Sequence, residues 1–413
     1  MADTSQRRIL SALDIGTSKV VALIAEINDN EALNIIGIGT QPSKGLKKGV
    51  IVNIDATVKA IQKAVEEAEE IAGVAIKQAY VGIAGSHIRS FDSHGVVAIK
   101  GHEVSYEDLE RVIESAKAVP MPADQEILHI LYQDFLIDNQ PGIKEPVGMA
   151  GVRLEAQVHM VTASSSALQN IKKCVTRCGI AMQDIVLEQL ASSYSVLSDD
   201  EKELGVCIVD IGAGTTGVAV FIEGAIKHTS VIPIAGSQVT SDIAHALRVA
   251  TDTAERIKIQ YGSAMSNMVK SDDAVEIPGL ADRLARRVPL QSLAGVIEAR
   301  MEELFSLIYE SLEKNNLLEQ ISAGVVLTGG ASKMHGMAQL AEEIFRVPVR
   351  VGGPANITGV QDVLHNPVHA TGVGLLMYNQ VQLSEGIDEI LDDKDGDDMG
   401  LWRRMKGWFG KHF

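Results

Sequence analysis

The sequence predicts a two-lobed α/β fold with a subdomain inserted in each lobe, and three observations carry that prediction. Its 413 residues exceed what one hydrophobic core usually supports. Apolar runs of strand character alternate with segments of helical periodicity, the pattern of α/β architecture. One turn also occurs twice, as Asp14-Ile15-Gly16-Thr17-Ser18-Lys19 and as Asp210-Ile211-Gly212-Ala213-Gly214-Thr215-Thr216.

Each copy of the turn joins two short apolar runs, 9–13 to 20–25 and 206–209 to 218–222, so each reads as a β-hairpin. The stretch 55–71 reads as a helix with Val58, Ile61, Ala64, Val65, Ala68 and Ile71 on its apolar face. Between 85 and 161 the texture changes to short strands, a helix opened by Ser105 with Asp108 three residues on, and a Pro-broken stretch at Val119-Pro120-Met121-Pro122. That is the expected insertion in the first lobe. A helix at 168–178, a strand at 184–188 and a small-residue helix at 189–197 resume the lobe, and the charged run 198–203 reads as a solvated link. The expected parts are 1–84, 162–203 and 362–383 for the first lobe with 85–161 inserted, and 204–244 and 305–361 for the second with 245–304 inserted. An acidic linker at 384–398 and an amphipathic helix at 399–413 follow.

The repeated turn has the chemistry of a phosphate site. Gly16, Gly212 and Gly214 let backbone N–H groups approach an anion, and Thr17, Ser18, Thr215 and Thr216 add hydroxyl donors. Lys19 adds a positive charge, and Asp14 and Asp210 can hold a hydrated divalent cation, Mg2+, through water. Single Asp-x-Gly turns are ordinary hairpin chemistry; two facing copies would clamp a nucleotide triphosphate. A third element, Val325-Val326-Leu327 running into Thr328-Gly329-Gly330-Ala331-Ser332-Lys333-Met334, ends a strand in a glycine pair where backbone passes close to something flat. Glu255 and Lys258 lie three apart on one helical face and can reach a ribose together; the alternative is a solvent-facing ion pair.

Composition narrows the function. A formal charge of −17 argues against nucleic acid as a partner. Cys174, Cys178 and Cys207 form a sparse, odd set suited to a reducing compartment, and Cys174 and Cys178 fall on a helical apolar stripe that favours packing over metal or redox work. The polar start of the chain and the lack of a long apolar run predict a cytoplasmic protein. At the other end, 384–398 carries eight carboxylates against Lys394, a composition that does not fold and stays extended. Beyond it, Leu401, Trp402, Met405, Trp408, Phe409 and Phe413 share one helical face, and Arg403, Arg404, Lys406 and Lys411 take the other. This is the pattern of an interfacial anchor on anionic lipid; docking on a protein surface is the competing reading. One short helix binds weakly, so a linked polymer would gain by avidity.

The two turns and the Gly329–Gly330 turn resemble the phosphate and adenosine motifs of the actin, Hsp70 and sugar kinase superfamily. With the insertion at 85–161 and the tethered tail, nearly the whole chain resembles the FtsA family of bacterial actin-like division proteins. The resemblance implies an actin-like fold and ATP with Mg2+, bound by Asp14, Gly16, Thr17, Ser18, Lys19, Asp210, Gly212, Gly214, Thr215, Thr216, Gly329, Gly330, Ser332 and Met334. It places the connecting motifs at 188–193 and 370–374, with Glu188 or Gln189 positioning an attacking water if ATP is hydrolysed, slowly or not at all. It further implies filaments on the cytoplasmic face of the inner membrane at the division site, an FtsZ ring held there by FtsZ's C-terminal tail, and recruitment of later division proteins. In the family that tail enters the second lobe's insertion, where Arg283, Arg286, Arg287 and Arg300 lie beside Leu284, Val288 and Val296; a mixed solvated helix face is the alternative. A sugar kinase lacks a use for the tail and needs a base for which no motif is present. An Hsp70-like chaperone lacks room for its peptide-binding domain, and FtsA-like pilus-assembly proteins generally lack the terminal helix.

Overall fold

A computed structural model describes residues 8–28, 32–278 and 284–384. The acidic linker and the amphipathic tail therefore lie outside the described residues, except that the helix Ala370–Ser384 reaches the linker's first residue. Both expected hairpins form. Arg8–Ile15 pairs antiparallel with Lys19–Ile27, and Val206–Ile211 with Thr216–Ile222. A third strand continues each meander, Leu33–Pro42 in the first lobe and Ala225–Ile232 in the second. Parallel strands extend the other side: Gln78–Ile83 and Ala181–Leu187 in the first lobe, Gly324–Thr328 and Val349–Val351 in the second. The two sheets are thus built on one plan.

The helix Ile54–Ala72 is capped by Asn53, whose side chain accepts from the Ala56 N–H, and ends at Gly73 in the left-handed region. It buries Val58, Ile61, Ala64, Val65 and Ala68 as expected, whereas Ile71 is 55% exposed, the last turn facing Gly37 through Ala68 and Ala72 instead. Gly37 and Gly39 allow that contact: a Cβ on Gly39 would lie 1.9 Å from the Ala64 carbonyl oxygen. The helix Ser165–Arg177 covers the same core, with Cys174 buried and burial pushing the thiol of Cys178 up to about 11. Both cysteines are free and packed.

Four strands form a separate sheet in the order Arg89–Ala98, Arg153–Ser164, Gln125–Ile137 and Gln140–Ile143. The helix Tyr106–Lys117 covers it, started by the expected reciprocal cap between Ser105 and Asp108. This subdomain leaves and rejoins the first lobe, yet it docks on the second. Ser90 Oγ donates to the Thr229 carbonyl at 2.8 Å, and Gln133 Nε2 to that of Ile226 at 3.1 Å. The buried His159 ring bridges Asp92 and Thr229 at 2.7 and 2.9 Å.

The run 198–203 is solvent-facing, as expected of a link, and it is also helical: Ser198 and Glu201 cap each other to start Asp199–Leu204, and Glu201 pairs with Arg350. The boundary expected at 304 falls inside the helix Leu290–Lys314, whose buried stripe runs on through Phe305, Ile308 and Leu312. The return to the first lobe comes before 362, because Ile357–Gly359 already pairs in parallel with Leu33–Pro42.

Candidate functional site

The two hairpin turns meet across the cleft. Asp14 stands opposite Val21 and Asp210 opposite Gly217, so each carboxylate is the penultimate residue of its first strand. A Cβ on Gly214 would lie 2.4 Å from Thr17 Oγ1, so only glycine lets the two turns approach this closely. Thr17 Oγ1 accepts from the Gly49 N–H at 3.0 Å. The second turn is fastened to the start of the helix Gly236–Leu247, where the Gly236 and Ser237 N–H groups donate to the Gly212 and Ala213 carbonyls at 3.1 and 2.8 Å.

Between the turns the charge is unbalanced. Burial pushes the Asp14 carboxyl up to about 6, with the Asp210 charge adding and Lys19 opposing. Burial also raises Asp210, against the hydroxyls of Ser192 and Thr371 that donate to its Oδ2. Glu188 is raised well above the usual carboxylate range, by burial first and then by Asp14 and Asp210. Burial lowers Lys19, whose ammonium donates to the Val368 carbonyl at 3.2 Å. Three half-buried carboxyls thus share a region with one lysine, a donor set that fits a divalent cation. Among the described residues no cluster of three or more such side chains is close enough to hold a bare ion.

The third turn abuts the second. Gly329 has φ of 81°, and a Cβ there would lie 2.3 Å from Asp210 Oδ1. Ser332 is buried and closes the turn by donating to the Gly329 carbonyl at 2.7 Å, while Gly330 is exposed and Met334 half-buried. Glu255 and Lys258 do form an ion pair, at 2.8 Å, with the Lys258 side chain largely covered and that of Glu255 still 43% exposed. Lys258 Nζ also donates to the Gly236 carbonyl and to Thr240 Oγ1 at 3.0 and 2.9 Å. The pair therefore flanks the wall that the third turn and Gly236 share, Gly236 having Ala331 and Lys258 as neighbours.

Glu188 and Gln189 open one helix, Glu188–Val196, and diverge. Glu188 stays with the aspartates, whereas Gln189 turns to the second lobe's sheet, its amide packed on Gly217 and donating to the Ser230 carbonyl at 3.3 Å. Of the basic residues, Arg283 lies outside the described residues. Arg286 donates to the Leu247 carbonyl at 2.6 Å, and Arg287 is exposed opposite Glu276. Arg300 is held by Asp242 at 2.6 Å and by Glu303. Ser192 and Thr371, which bind Asp210 and each other at 3.0 Å, were not singled out in the sequence; hydroxyl residues in both connecting motifs were the available signal.

The connecting helices cross where a Cβ on Gly374 would lie 1.8 Å from the Ala191 carbonyl oxygen. Ser195 Oγ donates to the Ala370 carbonyl at 2.7 Å beside the crossing. The two connecting helices are thus locked in a tight, hydrogen-bonded crossing.

Known proteins agree with this architecture. Among solved structures, the chain is similar to the PilM-PilN type IV pilus biogenesis complex (TM-score 0.65, 16% identity, 89% of this chain and 98% of that one). It is also similar to MreB5 of Spiroplasma citri bound to ADP (TM-score 0.56, 16% identity, 92% and 98%). These likenesses establish the actin-like fold. A family model described as "Cell division protein FtsA" matches residues 207–374, and one described as "SHS2 domain inserted in FTSA" matches residues 85–162. Cell division protein FtsA of Pseudomonas aeruginosa is 52% identical over the whole of both chains. That of Neisseria meningitidis is 46% identical over 99% of each, and that of Escherichia coli K12 is 41% identical over both in full. Two matching models and this full-length identity establish that the chain belongs to the FtsA family of cell division proteins.

Proposed function

We propose that the chain binds ATP with Mg2+ between its lobes and polymerises on the cytoplasmic face of the inner membrane. There it anchors the FtsZ ring through FtsZ's C-terminal tail and recruits later division proteins. The contact between the two hairpin turns, Gly214 against Thr17 with a buried carboxylate behind each, is the observation that carries the nucleotide reading. The turn backbones and hydroxyls would hold the phosphates, Gly329, Gly330, Ser332 and Met334 the adenine, and Glu255 with Lys258 the ribose. Mg2+ would add positive charge where Lys19 alone faces Asp14, Asp210 and Glu188.

Nucleotide holds the two turns at one separation, and the junction at Gly374 and Ala191 passes that separation on as an angle between lobes. ATP in this reading selects a filament-competent angle without fast turnover. Glu188, beside Asp14 and Asp210, would orient the water, whereas Gln189 donates to the Ser230 carbonyl. Arg286, Arg287 and Arg300, with Arg283, would receive an acidic, partly apolar FtsZ tail, and residues 401–413 would bind anionic lipid. Self-association supplies the avidity that one short anchor lacks.

The deciding experiment is co-sedimentation with anionic liposomes, with ATP and Mg2+, of the full chain and of a chain ending at Asp398. The proposal expects only the full chain to pellet with lipid. Equal pelleting of both, or of neither, would overturn the anchor reading.

A further inference from the structure

A cavity of about 280 Å³ lies where the inserted subdomain, the first connecting helix and the second lobe's hairpin meet. It shares no residue with the phosphate turns, although Phe221 lies at the far end of the strand Thr216–Ile222 that leaves the second turn. Leu131, Phe135, Leu190, Tyr194, Phe221 and Ile226 build an apolar, partly aromatic wall. Asp134, Asp199, Glu203 and Glu223 stand around it against Lys144 and Lys202, so the lining is net negative. Lys202 is already engaged, over the Tyr194 and Phe221 rings at 5.4 and 5.9 Å and near Asp199 at 3.7 Å.

The last described helix passes beside the cavity. This helix, Ala370–Ser384, carries Tyr378 with its ring 6.0 Å from that of Tyr194, which lines the cavity. From Ser384 the acidic linker to Asp398 can span roughly 45 Å, at about 3.3 Å per residue. Residues 401–413 combine two tryptophans, two phenylalanines and four cations, and so match an aromatic wall with a negative surround. A tether of this length gives an effective concentration on the order of 1 mM, enough to fill a weak site.

We propose that, away from lipid, residues 401–413 of the same chain dock in this cavity, so that membrane binding and docking compete for one apolar face. The proposal rests on the membrane reading for its consequence but not for its site. Docking places the tail across the seam where the subdomain of the first lobe meets the second lobe. Release of the tail to lipid would then free that seam to move with the lobes.

The chain holds no tryptophan other than Trp402 and Trp408, so intrinsic fluorescence reads the tail alone. The test is acrylamide quenching of the full chain without vesicles, beside the charge-reversed variant Glu203→Lys/Glu223→Lys; both side chains are exposed and outside the nucleotide site. The expected result is protected tryptophans in the native chain, independent of protein concentration, and severalfold greater quenching in the variant, which also pellets with anionic vesicles at lower lipid. Accessible tryptophans in the native chain that become protected only on adding vesicles would overturn docking and leave the membrane reading intact. Protection that vesicles do not alter would sink the membrane reading and leave docking standing. Protection unchanged in the variant, or rising with protein concentration, would move the tail to another surface or a second copy and overturn this site.

Discussion

Replacing Asp14 with Asn separates what the cleft costs the fold from what it does for nucleotide. Burial and the Asp210 charge raise the Asp14 carboxyl from 3.8 to about 6, worth about 3 kcal/mol at 1.36 kcal/mol per pH unit. A carboxyl raised in the folded state stabilises the protein fully below the unfolded value, near pH 4, and that contribution is lost as the pH climbs through about 6. The nucleotide-free chain should therefore lose stability between pH 4 and 7 by this route, and at pH 7.5 it carries the whole penalty. Asn has the same shape and no charge, so Asp14→Asn should raise the nucleotide-free stability at pH 7.5 by up to about 3 kcal/mol and flatten the pH dependence in that window. It should also remove the response to Mg-ATP, which for a ligand at a hundredfold over its Kd is about 2.7 kcal/mol. Thermal melts of both chains at pH 5 and 7.5, with and without Mg-ATP, read all of these effects. An Asn variant less stable than the native chain at pH 7.5 without nucleotide, or one keeping the full Mg-ATP shift, would refute the reasoning.

Other perturbations address the rest of the site. Glu188→Gln should leave ATP affinity intact while abolishing whatever phosphate release the chain supports, and a single-turnover assay showing unchanged release would remove Glu188 as the water-orienting residue. Gly214→Val would drive side-chain carbon into Thr17 and part the turns, so ATP affinity measured by fluorescent-nucleotide titration should fall at least about tenfold, a loss of ~1.4 kcal/mol. At the junction, Gly374→Val would press on the Ala191 carbonyl, with an expected destabilisation of about 1–3 kcal/mol in urea unfolding. Arg300→Glu should abolish binding of an FtsZ-tail peptide; because it also breaks the pair with Asp242, Asp242→Asn serves as the control that breaks the pair and keeps the cation. Unchanged peptide affinity in Arg300→Glu would take that residue out of the site.

The repeated turn was legible because its chemistry is local. A hairpin needs only two apolar runs and a turn that tolerates the backbone, and both copies sit in the sequence with their small residues and carboxylate in register. The helix at Ile54–Ala72 and the Ser105–Asp108 cap were legible for the same reason, since periodicity and capping act within a few residues. The protein's relationship to a family was legible as well, from the order of the motifs and the character of the tail.

What the sequence did not decide depends on residues far apart in the chain. That Gln189 leaves the cleft while Glu188 stays follows from the packing of one helix between two sheets, with Gly217 leaving room for the amide. Arg300 has its charge taken up by Asp242, which belongs to a helix 58 residues earlier, and no local pattern announces that pairing. The subdomain inserted in the first lobe docks on the second through His159, Asp92 and Thr229, because its sheet face finds an edge strand there that only the folded lobes present. The raised carboxyls of Asp14, Asp210 and Glu188 arise from burial and mutual repulsion, which exist only once both lobes close on the cleft. Local chemistry thus determined the turns and the donors they carry, and long-range burial decided which side chains come together there and with what charge.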